Sequence, residues 1–132
     1  MIVDSSAIVA VAENEPDAEV FFRLISDSDS RPRISAGTLL ETSIVLDRRH
    51  ATRTSRQFDE LVFSWDLEVV PVDADHVRVA RAAYRDFGRG SGHRANLNFG
   101  DCFSYALASI TGEPLLYKGD DFSHTDVRSA LA

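Results

Sequence analysis

The sequence predicts an α/β fold in which a mainly parallel sheet is covered by helices. Three observations carry this. Short apolar segments alternate along the chain with longer segments of helical periodicity, the order a parallel sheet with helical crossovers requires. The 132 residues match one domain, and no repeat, low-complexity tract or Pro/Gly linker divides them, so residues 1–132 are read as a single unit. Hydrophobic residues make up 44% of a chain with one cysteine, so a buried core must hold the fold without a disulfide or a cysteine zinc cage.

The elements follow in order. Met1 to Val3 is a short apolar strand that ends at Asp4, with Ser5 as the predicted cap of the next helix. Ala7 to Ala12 continues as a short apolar helix, stopped by Asn14 and Pro16. Pro16 suits the first position of a second helix, with Asp17 and Glu19 in its first turn and Val20, Phe21, Leu24 and Ile25 on its apolar face. After the polar loop from Ser26, Arg33 to Ala36 is a second strand. Thr38 to Arg49 carries Leu39, Leu40, Ile44, Val45 and Leu46 at the spacing of a helix with a wide buried face. A basic turn, His50 to Ser55, leads to a helix up to Asp66 with Phe58, Leu61, Val62 and Trp65 aligned. Leu67 to Val72 is a third strand. Asp73 caps a helix bearing Val77, Val79, Ala80, Ala83, Tyr84 and Phe87. Gly88 to Leu97 is a flexible loop. Asp101 to Thr111 is a helix ended by Gly112, and Pro114 to Tyr117 is a buried strand. The tail is irregular up to a turn or strand near Val127.

Composition narrows the function. Fourteen cations against twenty-one acids leave a net charge of −7, which argues against a surface that is nucleic-acid footprint throughout. Thirteen of the cations are Arg, and Lys118 is the one Lys. Arg offers a planar fork suited to phosphate and carboxylate, although a bias in genome composition produces the same excess. No apolar run approaches the ~20 residues that span a bilayer, so no membrane association is expected. Met1-Ile2-Val3-Asp4 lacks the basic start of a signal peptide, and a reducing, cytoplasmic setting is the expectation.

The acids carry the chemistry. Asp4 ends the first strand, Glu41 falls in the first turn of the helix after the second, Asp101 opens a later helix, and Asp120 and Asp121 follow the last strand. In an open α/β sheet these positions share the edge where ligands bind. Two carboxylates ~4 Å apart repel by ~4 kcal/mol at an effective dielectric of 20, so such a group needs protons or a cation. A hard divalent ion, Mg²⁺ or Mn²⁺, meets that need and suits hydrolysis of a phosphodiester. Each acid also has a structural role open to it. Glu41 can form a capping box with Thr38, Asp101 can cap its own helix, and Asp120 and Asp121 can serve the turn after Gly119.

These residues resemble the motifs of the PIN-domain ribonucleases, and more narrowly of VapC-type toxins of bacterial toxin–antitoxin pairs. The matching stretches are Met1-Ile2-Val3-Asp4-Ser5-Ser6-Ala7, Leu40-Glu41-Thr42, Leu97-Asn98-Phe99-Gly100-Asp101-Cys102-Phe103-Ser104-Tyr105-Ala106, and Pro114 to Phe122 followed by Thr125-Asp126. The resemblance runs the full chain. It implies a three-layer α/β/α sandwich and RNA cleavage dependent on Mg²⁺ or Mn²⁺. It implies Asp4, Glu41, Asp101 and Asp121 as the catalytic acids, with Asp4 and Asp101 on the metal. The fourth is Asp121 because the family's closing Asp-Phe pair matches Asp121-Phe122, while Asp120 falls on a variable position. Ser6 matches a hydroxyl residue that supports the site. A cognate antitoxin that blocks the groove, an RNA substrate and a homodimer are the implied partners.

Other residues weigh less. Cys102 reads as a small core residue, since no His stands at a motif distance from it. His93 and His124 read as exposed loop residues. Arg85, Arg89 and Arg94 flank the segment leading to Asp101 and are candidates for contact with the RNA backbone. Tyr84, Phe87, Phe99 and Tyr105 read as mostly core, with one exposed aromatic able to stack a splayed base. Two other classes stand beside the nuclease. One is a phosphatase or receiver-like phosphoacceptor, for which the second Asp of an Asp-x-Asp pair is missing at Ser6, and for which Asp4 stands alone where a receiver has paired acids after the first strand, with Asp73 after the third. The other is a non-catalytic binding module of the same fold, against which the complete set of four acids counts.

Overall fold

The computed structural model describes residues 1–49 and 52–131. Four strands, β1 (Ile2–Val3), β2 (Arg33–Ser35), β3 (Glu68–Val70) and β4 (Leu115–Leu116), form a sheet in the order β3-β2-β1-β4, with every pairing parallel. The helices between them are α1 (Ser5–Ala12), α2 (Ala18–Ser26), α3 (Ala36–Arg49), α4 (Thr52–Ser64), α5 (Ala74–Phe87) and α6 (Asp101–Thr111), and a 3₁₀ turn covers Asp121–His124.

Strand alternation divides the core between two faces. Ile2 pairs with Leu115 and Val3 with Leu116. Ile2 and Leu115 join Ala83, Leu97, Leu107 and Tyr117 under α5 and α6. Val3 and Leu116 join Ile8, Phe21, Ile34, Leu46, Phe58 and Trp65 under α1 to α4. Successive strand side chains point to opposite faces, so β1 and its neighbour β4 supply both halves of a three-layer α/β/α sandwich. The chain runs β1, β2, β3 in one direction and then returns to place β4 on the far side of β1. The strand order therefore reverses between β1 and β4, and the crevice beyond their C-terminal ends is where such sheets bind ligands.

Several local expectations shift. Asp4, not Ser5, is the cap of α1, because its carboxylate accepts the Ser6 backbone N–H. The second helix starts at Ala18, two residues beyond Pro16, with Asp17 as its flanking residue. Val20 is exposed, and α2 buries Ala18, Phe21 and Ile25. Helix α3 starts at Ala36 and buries Thr38, Thr42 and Leu46, while Leu40 and Ile44 face solvent. Thr38 and Thr42 lie four apart on the inward stripe, and the Thr42 hydroxyl donates to the Thr38 carbonyl. Small polar residues can thus occupy a buried helix face when the preceding turn accepts their hydrogen bond. The expected turn at 50–55 lies partly outside the described residues, and α4 has begun by Thr52. The segment 88–97 is tied at its base, where Arg89 N–H donates to the Leu97 carbonyl and Leu97 N–H to the Phe87 carbonyl, both at 2.9 Å. Helix α6 runs from Asp101 to Thr111 as expected, with Gly112 supplying the left-handed φ of 71° that ends it. Among the described residues no helix is long and apolar enough to cross a membrane.

Candidate functional site

Asp4 is the buried centre of the sheet edge. It is 2% exposed. Its Oδ2 accepts the Ser6 N–H at 3.0 Å and the Ser6 hydroxyl at 2.7 Å, and its Oδ1 accepts the Ser104 hydroxyl at 2.5 Å. Ser104 also lies 3.1 Å from the Thr38 hydroxyl, and Ser6 Oγ accepts the Lys118 N–H at 2.9 Å. This chain of hydrogen bonds runs from α3 through α6 and β1 to the end of β4. A buried carboxylate without such donors would be too costly to keep as an anion.

Asp101 is held by a reciprocal turn. Its N–H donates to Asn98 Oδ1 at 2.9 Å, and its Oδ2 accepts the Asn98 N–H at 3.0 Å. The pair closes the turn that leads into α6, whose flanking residue Gly100 makes no side-chain cap bond. Only one of the two Asp101 oxygens is occupied by the Asn98 bond. Burial pushes its carboxyl from its ordinary 3.8 up to about 7, the Asn98 hydrogen bond opposes this, and the charges of Asp4, Asp121 and Glu41 push it further up.

Glu41 projects from α3 toward the same point. Burial and the Asp4 charge raise its pKa, and a hydrogen bond from Ser5 opposes them. It does not box with Thr38, whose hydroxyl is turned to Ser104. The Glu41 carboxylate instead lies against Gly100, where a Cβ would collide with it. Gly100 has φ −64° and ψ −36°, a backbone any residue adopts, so space rather than conformation demands glycine. Gly100→Ala is accordingly expected to keep the fold and to swing the flexible Glu41 carboxylate aside. The RNA cleavage that the motif resemblance implies should fall by about 10²-fold while the thermal melt barely moves, and wild-type cleavage in this variant would remove Glu41 from the site.

The structure brings Asp4, Glu41, Asp101 and Asp121 to one edge. Asp121 lies on the 3₁₀ turn after β4, exposed, and its charge acts on Asp101. Asp120 precedes that turn with its side chain exposed, and its backbone carbonyl accepts the Ser123 N–H at 3.0 Å. Ser6 supports Asp4 directly. Arg85, Arg89 and Arg94 are exposed, Arg85 pairing with Asp86 at 3.3 Å. Cys102 is buried, and burial with the Asp101 charge pushes its thiol up to about 11, which leaves no thiolate to act as a nucleophile. His93 is less free than expected, since its ring packs edge-on against Phe87 at 4.9 Å and its Nδ1 accepts the Ala95 N–H. Asp73 caps α5 by accepting the His76 N–H at 3.0 Å. It sits beside the edge strand β3, away from the crevice, which counts against a phosphoacceptor role.

The residues fit a divalent ion of one kind. The edge concentrates carboxylates, and among the described residues none of these four makes an ion pair. Among the same residues, no three are gathered closely enough to hold an ion by themselves. An ion that keeps several waters and takes only one or two carboxylates, as Mg²⁺ does, matches that arrangement better than a closed cage.

A model of the PIN domain matches residues 1–128. The chain belongs to the PIN-domain family. Within it the chain is similar to Ribonuclease VapC28 of Mycobacterium tuberculosis, 53% identical over 131 residues that cover 99% of this chain and 98% of that protein. Ribonuclease VapC42 of the same species is 51% identical over 130 residues, covering 98% of each. Among solved structures, M. tuberculosis VapC20, a Sarcin-Ricin loop cleaving toxin, aligns with a TM-score of 0.75 at 22% identity over 96% of this chain and 95% of that one. A toxin–antitoxin complex from Klebsiella pneumoniae aligns with a TM-score of 0.68 at 12% identity over 92% and 89%. The PIN fold of this chain is thus shared where little sequence is.

Three participants at this PIN site were not legible beforehand: Ser104, Thr38 and Asn98. Ser104 stands three residues after Asp101 in an otherwise apolar run, a buried polar residue in search of a partner. Asn98-x-x-Asp101 has capping-box spacing, and that spacing was the available signal.

Proposed function

We propose that this PIN protein is a divalent-metal-dependent ribonuclease toxin of a toxin–antitoxin pair, hydrolysing RNA phosphodiester bonds at Asp4, Glu41, Asp101 and Asp121. The observation that carries this reading is the Asp101 carboxyl, buried and raised to about 7 by burial and by three other carboxylates at the crevice of the sheet. Perturbed carboxylates gathered in a cleft mark functional sites. The names of relatives about half identical over nearly the whole chain support the same reading.

Asp4 and Asp101 are the residues that would hold Mg²⁺ or Mn²⁺, since their oxygens are fixed by hydrogen bonds from Ser6, Ser104 and Asn98. When bound, the metal lowers the pKa of water and offsets charge on the phosphate. Glu41 takes the proton of the attacking water, being half-buried and raised. Asp121 is the fourth acid, its charge acting on Asp101 from the turn after β4. Comparing Asp121→Asn with Asp120→Asn tests the choice between neighbours. Cleavage should be lost in the first and kept in the second, and the reverse result moves the fourth acid one residue earlier.

Arg89 and Arg94, exposed on the segment that enters the Asn98–Asp101 turn, guide the RNA backbone into an otherwise anionic site, with Arg85 beside them. Replacing Arg89 and Arg94 with Ala should flatten the salt dependence of RNA binding. The log–log slope should fall by about 0.7 for each phosphate of a single strand that the variant no longer neutralises. An unchanged slope removes this segment from the RNA path. The antitoxin would place a cation, most simply Arg, among the carboxylates, because its fork bridges two of them. Leu40 and Ile44, 63% and 47% exposed and one turn apart on α3, are an apolar stripe suited to a second copy of the chain. A cytoplasmic location accords with such a role.

A further inference from the structure

Phe99 is 75% exposed although it lies only two residues before Asp101. It is one of the two residues enclosed by the reciprocal Asn98–Asp101 hydrogen bonds, so its backbone is fixed from both sides. Its ring is braced edge-on by Phe103, with centroids 5.2 Å apart and planes at 81°. Phe103 is itself seated over Gly37, where a Cβ would overlap its ring. An exposed ring held this firmly loses little freedom on binding. A structural role explains Phe103 but leaves the open face of Phe99 unexplained.

Behind that ring a groove of about 510 Å³ runs between α5 and α6, floored by Val77, Ala80, Tyr84 and Phe103. Its size is that of a small-molecule site. Arg81 and Arg85 stand at its rim. Arg81 is exposed and has no ion-pair partner among the described residues. Two cations thus stand over an apolar aromatic floor on a chain of net charge −7, and Phe99 and Cys102, which bracket Asp101 in the chain, line the same groove. It complements a strand that is anionic along its backbone and aromatic at its bases.

We propose that Phe99 stacks an unpaired nucleobase adjoining the phosphate at the acidic site, and that the α5–α6 groove receives this base with Arg81 and Arg85 on the flanking backbone. The inference rests on the nuclease reading and adds to it the residue that holds the base beside the cut. Aromatic faces are how proteins read single-stranded RNA. A duplex keeps its bases stacked on one another and leaves Phe99 without a partner.

The test uses the full chain with Mn²⁺ and a synthetic oligoribonucleotide spanning a cleavage site mapped by RNA 5′-end sequencing. Phe99→Ala should lower kcat/KM about 10- to 100-fold, mainly through KM. Phe99→Tyr and Phe99→Trp should restore it, and Phe99→Leu should not. On a substrate made abasic at the stacked nucleotide, wild type and Phe99→Ala should cleave alike, which a merely structural role for Phe99 would not produce. A second measurement needs no chemistry. With Ca²⁺ in place of Mn²⁺, 2-aminopurine at that position of the oligoribonucleotide, or in turn along an unstructured one if no site is mapped, should be quenched by wild type and not by saturating Phe99→Ala.

Equal cleavage by wild type and Phe99→Ala overturns the base-stacking proposal and leaves the nuclease reading standing. No cleavage by wild type overturns the nuclease reading, and the fluorescence then decides stacking alone, with equal quenching by both proteins refuting it. Unchanged cleavage with weakened binding of the genetically linked antitoxin assigns the groove to that protein partner and also overturns the proposal.

Discussion

Asp101→Asn should abolish RNA cleavage and raise the melting temperature of the metal-free protein at pH 8. The two effects share one cause. The carboxylate is the most strongly perturbed acid of the site, at about 7 against an ordinary 3.8. Its charge is what a metal would use, and in the metal-free protein that charge is unfavourable. The unfolded chain releases the proton near pH 4 and the folded chain near pH 7, so between them the folded state binds more protons. Stability attributable to this group therefore falls as pH rises through that window and stays low above it. Glu41, also raised, acts in the same direction. Asn keeps an oxygen to accept the Asn98 N–H, so the turn at α6 survives. The stabilisation of Asp101→Asn over wild type should be largest at pH 8, narrow toward pH 5 and close near pH 4. Cleavage should drop by about 10³-fold, the scale of losing a group that acts in the transition state. Wild-type cleavage in the variant would remove Asp101 from the catalytic group. A melting gap that widened on acidification would contradict the raised carboxyl.

The second large effect is metal uptake that expels a proton. Below pH 7 the Asp101 carboxyl is mostly protonated, and a ligand must be deprotonated to bind an ion. The apparent affinity for Mn²⁺ should therefore rise about tenfold per pH unit up to 7 and level off above it. Calorimetry in two buffers of different ionisation enthalpy should count about one proton released at pH 6 and about none at pH 8. Asp101→Asn should release none at either. Ion at 100 times its dissociation constant should stabilise the fold by about 2.7 kcal/mol, and chelation should reverse it. Binding without proton release would mean that the ion sits on other carboxylates.

Much of this protein is determined by sequence alone because its signals are local. The alternation of apolar strands with helical periods set the α/β class. Gly112 at a required left-handed turn set the end of α6, and an acid directly after the first strand, with others in the segments after the second and the last, marked one edge of the sheet. Those features depend on neighbours in the chain, which a reader of residues can see. Helix faces were less legible. Leu40 and Ile44 lie across the helix from Leu46, which shares its inward stripe with Thr38 and Thr42 over Ser104, so of the three only Leu46 is buried. Which face of a helix turns inward depends on what the opposing element offers, and α6 offers a hydroxyl.

The site divides in the same way. Asp4, Glu41, Asp101 and Asp121 follow from their positions in the motifs, and topology puts them at one edge, but the sequence does not say which groups each of them touches. The tertiary structure decided that Glu41 lies on Gly100, that Ser104 reaches Asp4 across a hundred residues of chain, and that Asp121 shares a field with Asp101. It also decided that Phe99, expected to be mostly core, stands out beside them. Burial and electrostatic coupling are properties of three-dimensional proximity, and a carboxyl acquires a pKa of about 7 only when the fold removes its water and brings other carboxylates near.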